Sequence, residues 1–578
     1  MTDSSPHSPY MPPSTTPANA ESRGIERPPR RSWPGIGLWI IWTLCAAGIL
    51  GGHWLFGGFD RAIPNIITLI MAFIASVSFL VWFSVSSAAP QALRIAVPLA
   101  VVASVAALVG ALRIEETSGT LVPTFRFRWQ PRRDESLPPV AAAATDGIDL
   151  VTTTPDDFPR FLGPAGVPVL VEPSVPLAGD WSTNPPQLRW KRPIGAGWSA
   201  FAVVNGYAVT MEQRGPEELV TCYDVRNGEP VWSHAEGTRH ETILGGIGPR
   251  GTPTIHRGKV YALGAHGLIR CLDGATGKLL WKFDLFAATN NSPEKDITGV
   301  AWGRSASPLI IDETVVVPMG GPPGGPYVTL AAFQLDTGEL VWKTGKRQVS
   351  YASPVLTELA GQRQIVSVNE SSVTGHDPAN GRELWEIDWP GHSGSNASTS
   401  QPNVIAGRQL LLTKGYGVGA ALFEFAAPAA GETAGNIADD TAEKHPAKVA
   451  VGGGIRELWR SNRVLRTKFT SVAIHDGHAY GLNDGILECV SLSDGKSRWK
   501  KRGFEHGQTL IVGDRLLVLG EFGEAAWIEA TPDEYRERGR IQAIDGKTWN
   551  TVCLAGRLLL VRNSQEAACW ELTATRQP

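Results

Sequence analysis

The sequence predicts an all-β protein, an eight-bladed β-propeller with seven blades as the runner-up, preceded by three transmembrane α-helices. One observation is a recurring phrase: "YDVRNGEPVW", "CLDGATGKLLW", "FQLDTGELVW", "GHDPANGRELW", "SLSDGKSRW" and "QAIDGKTW". Each copy is an apolar strand, an Asp/Asn/Gly turn and a short strand carrying Trp, and self-similarity at a fixed period is the mark of a repeat architecture. The other observation is three apolar stretches ahead of the repeats, at about 35–56, 63–85 and 92–112. Each has close to the roughly 20 residues that a helix needs to cross a bilayer.

Residues 1–34 are rich in Pro, Ser and Arg without an apolar period, which predicts disorder. None of the three apolar stretches carries an internal Asp, Glu or Lys, so they read as an anchor and not as an ion path. Arg23, Arg27, Arg30 and Arg31 precede the first span, while Arg113, Arg126, Arg128, Arg132 and Arg133 follow the third. The charge rule is therefore contested. Long domains translocate largely regardless of charge, which favours a multi-pass inner-membrane protein with its C-terminal domain on the periplasmic, exoplasmic side. A linker is expected over 113–155, where charge, Pro and Ala mix, and the propeller over 156–578.

Within the propeller, Trp190, Trp232, Trp281, Trp342, Trp385, Trp459, Trp499 and Trp549 mark the repeat ends, roughly 40 to 75 residues apart. Gly228, Gly277, Gly338, Gly381 and Gly495 each stand four residues before a Trp, as a tight turn with positive φ demands. Cys222, Cys271, Cys489 and Cys569 share one slot with Ala332 and Gly375, a small-residue packing position on a buried strand. The first piece, "QLRWKRPIG", has a Trp strand with nothing before it. The last, "TVCLAGRLLLVRNSQEAACWEL", has three strands and no Trp turn. Joining them closes the ring and removes sheet edges. The insertion 426–453 is low-complexity and expected to be a disordered loop.

Function classes narrow from here. The net charge is -3, so no basic stripe for nucleic acid is expected. The six cysteines include no CxxC and no adjacent pair. "GIGPRG" lacks the strand-then-helix context of a dinucleotide fingerprint, and "GHSGS" is not a nucleophile elbow. No metal set is found at ligand spacing, and no catalytic residues are assigned. Blade-opening strands line a propeller's channel, so their polar and aromatic residues are the binding candidates: Trp198, Arg250, Trp302, Arg304 and Lys468, with Thr252, Ser305, Ser353, Asn396, Glu505 and His506 beside them. Arg250 and Arg304 recur at matching positions ("PRGTP", "GRSASP"). Two converging guanidiniums would suit a carboxylate or planar anion, with Trp198 and Trp302 stacking on a ring.

"CLDGATGKLLW" and "GHDPANGRELW" resemble the pyrroloquinoline-quinone (PQQ)-like propeller repeat, A-x-D-x-x-T-G-x-x-x-W, over about 156–575. With "DFPRFLGPAGV" and the apolar spans, the chain resembles the membrane-anchored, planctomycete-type branch of the quinoprotein alcohol dehydrogenase-like superfamily. That superfamily includes PQQ-dependent dehydrogenases and a lipoprotein propeller that binds protein and no quinone. The resemblance implies, for the dehydrogenases, an adjacent Cys-Cys pair, a Glu/Asn/Asp set for Ca²⁺ and an Asp base; this chain has no such pair and no motif that places the others. The expected function is a membrane-anchored scaffold binding a small ligand or a protein partner. The alternative is a quinoprotein oxidoreductase using PQQ with Ca²⁺ and feeding the membrane quinone pool.

Overall fold

A computed structural model of the 578-residue chain describes residues 33–56, 62–138, 140, 147–170, 173–426, 447–449 and 454–575. The tail expected to be disordered and most of the insertion 426–453 lie outside the described residues. Helices α1 (Ile36–Phe56), α2 (Ala62–Val85) and α3 (Gln91–Ala111) fall within two residues of the expected spans. All three are long and apolar enough to cross a membrane, and their Leu, Ile and Phe side chains point outward over most of their length. The chain divides into two compact units. One comprises 1–48 and 70–106; the other comprises 49–69 and 107–578 and contains every strand.

The second unit holds eight antiparallel blades: residues 202–236, 254–284, 309–344, 355–388, 403–461, 473–501, 508–542, and 553–571 joined by 187–193. The last blade is closed as the repeat arithmetic requires. Its outer strand, Gln187–Pro193, pairs with Glu566–Glu571, with Trp190 opposite Cys569.

One packing solution recurs around the ring. The small-residue slot sits directly across from the outer-strand Trp: Cys222 opposite Trp232, Cys271 opposite Trp281, Ala332 opposite Trp342, Gly375 opposite Trp385 and Cys489 opposite Trp499. A bulge follows each pair and sharpens the local twist. The indole then reaches the next blade, as in Trp190 Nε1 donating to Val225 O (2.7 Å), Trp232 to Gly274 O (2.9 Å) and Trp281 to Leu335 O (2.8 Å). The turn glycine of that next blade lies on the ring. Gly277 has φ 70, and a Cβ there would come within 2.6 Å of Trp232. Only glycine meets both demands cheaply. The repeat Asp residues are turn residues, with Asp273 Oδ1 accepting from Thr276 N (2.9 Å) and Thr276 Oγ1 (2.6 Å).

Two expectations need correction. The stretch 113–155 is not a plain linker. Strands β1 (Leu112–Thr117) and β2 (Pro123–Phe127) form a hairpin directly after α3, and Ile148 and Leu150 are buried between the first two blades. Trp549 is not an outer-strand Trp. The seventh blade's outer strand, Glu537–Gln542, ends before it, because the shortened turn "DGKTW" carries the chain away from the sheet. The Ser and Thr residues that open the blades are mainly clips between blades, as repetition would set them. Ala200 N donates to Thr252 Oγ1 (3.0 Å), Thr252 N to Ser307 Oγ (3.0 Å), Ser307 N to Ser353 Oγ (2.8 Å) and Gln401 N to Ser471 Oγ (3.3 Å).

Candidate functional site

Within the second unit, the segments that precede the opening strands converge on a cavity of about 450 Å³. Trp198, Arg250, Trp302 and Lys468 all line it, as do Ser305 and Ser353. Arg304 does not. Its guanidinium is buried in an ion pair with Asp296, Nε–Oδ2 3.1 Å and Nη2–Oδ1 2.5 Å. The two arginines that repetition aligns therefore do not converge on one ligand. A repeat fixes backbone position only, and the short helix Pro293–Gly299 inserted before Arg304 brings the carboxylate that captures it.

The wall is aromatic on one side. Tyr351 stacks on Trp302 (4.8 Å between centroids), Trp302 meets Phe469 edge-on (5.7 Å), Phe469 stacks on Trp549 (4.6 Å) and Trp549 tilts against Trp198 (5.0 Å). Hydrogen bonds hold the rings in place: Trp198 Nε1 donates to Gly245 O (2.6 Å), and Tyr351 Oη to Ser393 O (2.5 Å). Phe469 is held at φ 60, a conformation costly for an L-residue, and its carbonyl accepts from Gln508 Nε2 (2.6 Å).

The cations are distributed unevenly. Arg250 donates to Gly248 O (3.0 Å) and Gly245 O (2.6 Å), and among the described residues it has no carboxylate partner. Burial pulls its pKa down to about 10, so it stays charged at neutral pH. Lys468 lies 3.1 Å from Asp484 and over the Tyr416 ring. Lys547 lies over Trp549 (4.2 Å) and Trp198 (4.7 Å) and donates to Thr117 O (3.1 Å); burial lowers its pKa. Cations over indole faces are favourable electrostatically.

The tip of the β1–β2 hairpin forms another part of the wall. Gly119 N donates to Glu521 Oε1 (2.6 Å), an oxygen that also accepts from Trp549 Nε1 (3.1 Å), while Glu521 Oε2 accepts from His506 N (3.2 Å). Burial raises the Glu521 pKa. Only glycine fits at 119, since a Cβ would lie 2.1 Å from the His506 ring. Asn65 of α2 donates to Thr120 O (2.8 Å), and Ala62, Ile63 and Ile66 complete the lining. Tyr351, Phe469, Lys547, Trp549 and the hairpin were not among the candidates. The one signal for them was the irregular "DGKTW" copy.

Among the described residues no Asp or Glu lines the cavity, and no group of three or more His, Cys, Asp or Glu is placed to hold a metal ion. The cysteines are buried individually. The rings and Arg250 suit a planar anion such as a carboxylated quinone, but the donor set does not fit a calcium ion beside it.

Three helices apolar enough to span a membrane, followed by an eight-bladed propeller with a cavity of this kind, define the class, and the repeats are similar to those of PQQ-like propellers. Residues 216–501 match the family model described as outer membrane protein assembly factor BamB. The chain is similar to the quinoprotein alcohol dehydrogenase PedH of Pseudomonas putida, 26% identical over 194 residues, covering 32% of this chain and 29% of that protein. It is similar also to the 1-butanol dehydrogenase (quinone) of Thauera butanivorans, 24% identical over 213 residues, covering 34% and 32%. The chain thus spans less than a third of the length of the curated relatives it matches. The solved quinohemoprotein alcohol dehydrogenase from Comamonas testosteroni shares the fold, with a TM-score of 0.51, 14% identity, and coverage of 76% of this chain and 84% of that one.

Proposed function

We propose that the protein is a membrane-anchored binding propeller whose cavity takes a planar, anionic ligand. In this reading it is a multi-pass inner-membrane protein with the propeller on the periplasmic side. The observation that carries it is Arg250, a charged guanidinium whose hydrogen-bond partners among the described residues are two carbonyls, facing a cavity walled by stacked rings. A planar anion supplies the missing counter-charge and an aromatic face, while binding residues without an acid or base set suit capture over chemistry.

The test is calorimetric titration of PQQ into the full-length protein in lipid nanodiscs, with and without Ca²⁺. Saturable binding, independent of Ca²⁺ and weakened by Arg250→Gln, is expected. Binding that requires Ca²⁺ would favour the oxidoreductase reading that the names of the relatives suggest. No binding in either condition would remove the planar-anion site and leave a protein-binding scaffold.

A further inference from the structure

The cavity lining combines two chemistries. Arg250, Lys468 and the stacked rings supply charge and aromatic faces; Ala62, Ile63 and Ile66 from the first turns of α2, with Leu121 and Leu244, supply an apolar surface. Helix α2 is 24 residues of nearly unbroken apolar sequence, so its first turns lie where a bilayer's headgroup region gives way to hydrocarbon. Part of the cavity wall is therefore at the membrane surface.

Side chains of the hairpin support that placement. Phe125, Phe127 and Trp129 are all exposed, as are Ile243 and Leu244, whose carbonyls lie against Thr117 of β1, with Ile243 72% exposed. Aromatic residues next to a spanning helix are the usual occupants of the membrane interface. Strand β1 begins at the residue after α3 ends, which leaves no slack to lift this surface away from the bilayer.

A third observation is Leu121 itself. It has φ 61, the left-handed conformation that a leucine adopts only at a cost, yet it lines the cavity. Asn or Gly would relieve that cost, and such strain collects at ligand sites.

We infer that the cavity takes a membrane-borne amphiphile with an acidic headgroup. The head sits against Arg250 and the rings, and the hydrocarbon tail runs over Leu121, Ile63 and Ile66 into the bilayer. This rests on the reading of the cavity as an anion site and adds the origin of the ligand and its tail.

The experiment uses the full-length chain in phosphatidylcholine nanodiscs doped with phosphatidic acid. Native mass spectrometry reads the lipid retained on the protein, and PQQ is titrated into the same discs as a tailless planar anion. Retention of one phosphatidic acid in preference to phosphatidylcholine is expected. Leu121→Asn and Ile63→Asn should weaken it roughly ten-fold by removing apolar contact, a larger loss than they cause for the tailless PQQ. Leu121→Asn also relieves the left-handed strain, so its thermal stability should hold or rise, and a loss of lipid cannot be ascribed to unfolding. If PQQ binds but phosphatidic acid is retained no better than phosphatidylcholine, or inorganic phosphate displaces the lipid as readily as free phosphatidic acid does, the inference fails and the anion reading stands. If neither PQQ nor phosphatidic acid binds, both fail.

Discussion

Arg250 and Arg304 occupy the same place in adjacent repeats and end in opposite electrostatic settings. Arg304 is neutralised by Asp296 in a buried pair, and removing one partner of such a pair typically costs about 3–5 kcal/mol. Arg250 leaves no acid behind when removed, and losing its two bonds to carbonyls costs about 1–2 kcal/mol. The two substitutions should therefore separate: Arg304→Gln lowers the melting temperature with ligand affinity kept, and Arg250→Gln does the reverse. Equal loss of affinity in both would contradict the geometry. His376 is one residue through which pH acts on the ring. It is fully buried in the fourth blade, with Nδ1 donating to Gly381 O (3.0 Å) and Nε2 accepting from Thr374 Oγ1 (2.8 Å). Burial lowers its pKa from 6.5 to about 4. A depressed pKa gives stability that is present above pH 6.5 and lost as pH falls through 4, amounting to about 3 kcal/mol. Denaturant unfolding between pH 7 and pH 4 should show this slope in the native protein and a flatter one in His376→Gln. Identical slopes would remove the assignment.

At the scale of the blade, stability comes from the Trp that crosses to the next sheet, and the closing strand depends on one of them. Trp190 is buried, lies under Gly228 of the first blade, and bonds to Val225 O (2.7 Å). Replacing a buried Trp by Ala costs about 3–5 kcal/mol. Here the cost falls on the strand 187–193, which completes a sheet otherwise made from the other end of the chain. Trp190→Ala should open 173–193 to limited proteolysis before any other blade; a cleavage pattern like that of the native protein would mean the strand is held by its backbone ladder alone. The repeats also explain what was legible beforehand. Blade number, ring closure and the Cys/Ala/Gly slot could be read because each blade solves one packing problem with one residue pattern. Six of the residues lining the cavity were legible because they stand just ahead of or at the start of opening strands. Arg304 was misplaced because an inserted helix, outside the pattern, supplies its partner. Lys547, Trp549 and the hairpin tip were missed for the same reason: they come from places where the repeat breaks, and a break carries no template for its own geometry.

At the scale of the whole molecule, three helices are long and apolar enough to cross a membrane; if all three span, the two ends of the chain lie on opposite sides, and the sequence charges leave the direction to experiment. The long domain argues for translocation, and four arginines ahead of α1 argue for a cytoplasmic N-terminus. The chain suits a direct test, because all six of its cysteines are free and buried and give little background to a thiol reagent. Lys278→Cys puts an exposed thiol on the rim of the second blade, and Ser14→Cys puts one ahead of the first span. In cells with a permeabilised outer membrane, an impermeant maleimide should label Lys278→Cys at once, and Ser14→Cys only after the inner membrane is broken. The reverse order would place the propeller in the cytoplasm and bring its cavity to the inner leaflet. Labelling of both thiols from outside would mean that one of the three helices does not span, which would also undo the argument that the first turns of α2 lie at the membrane surface.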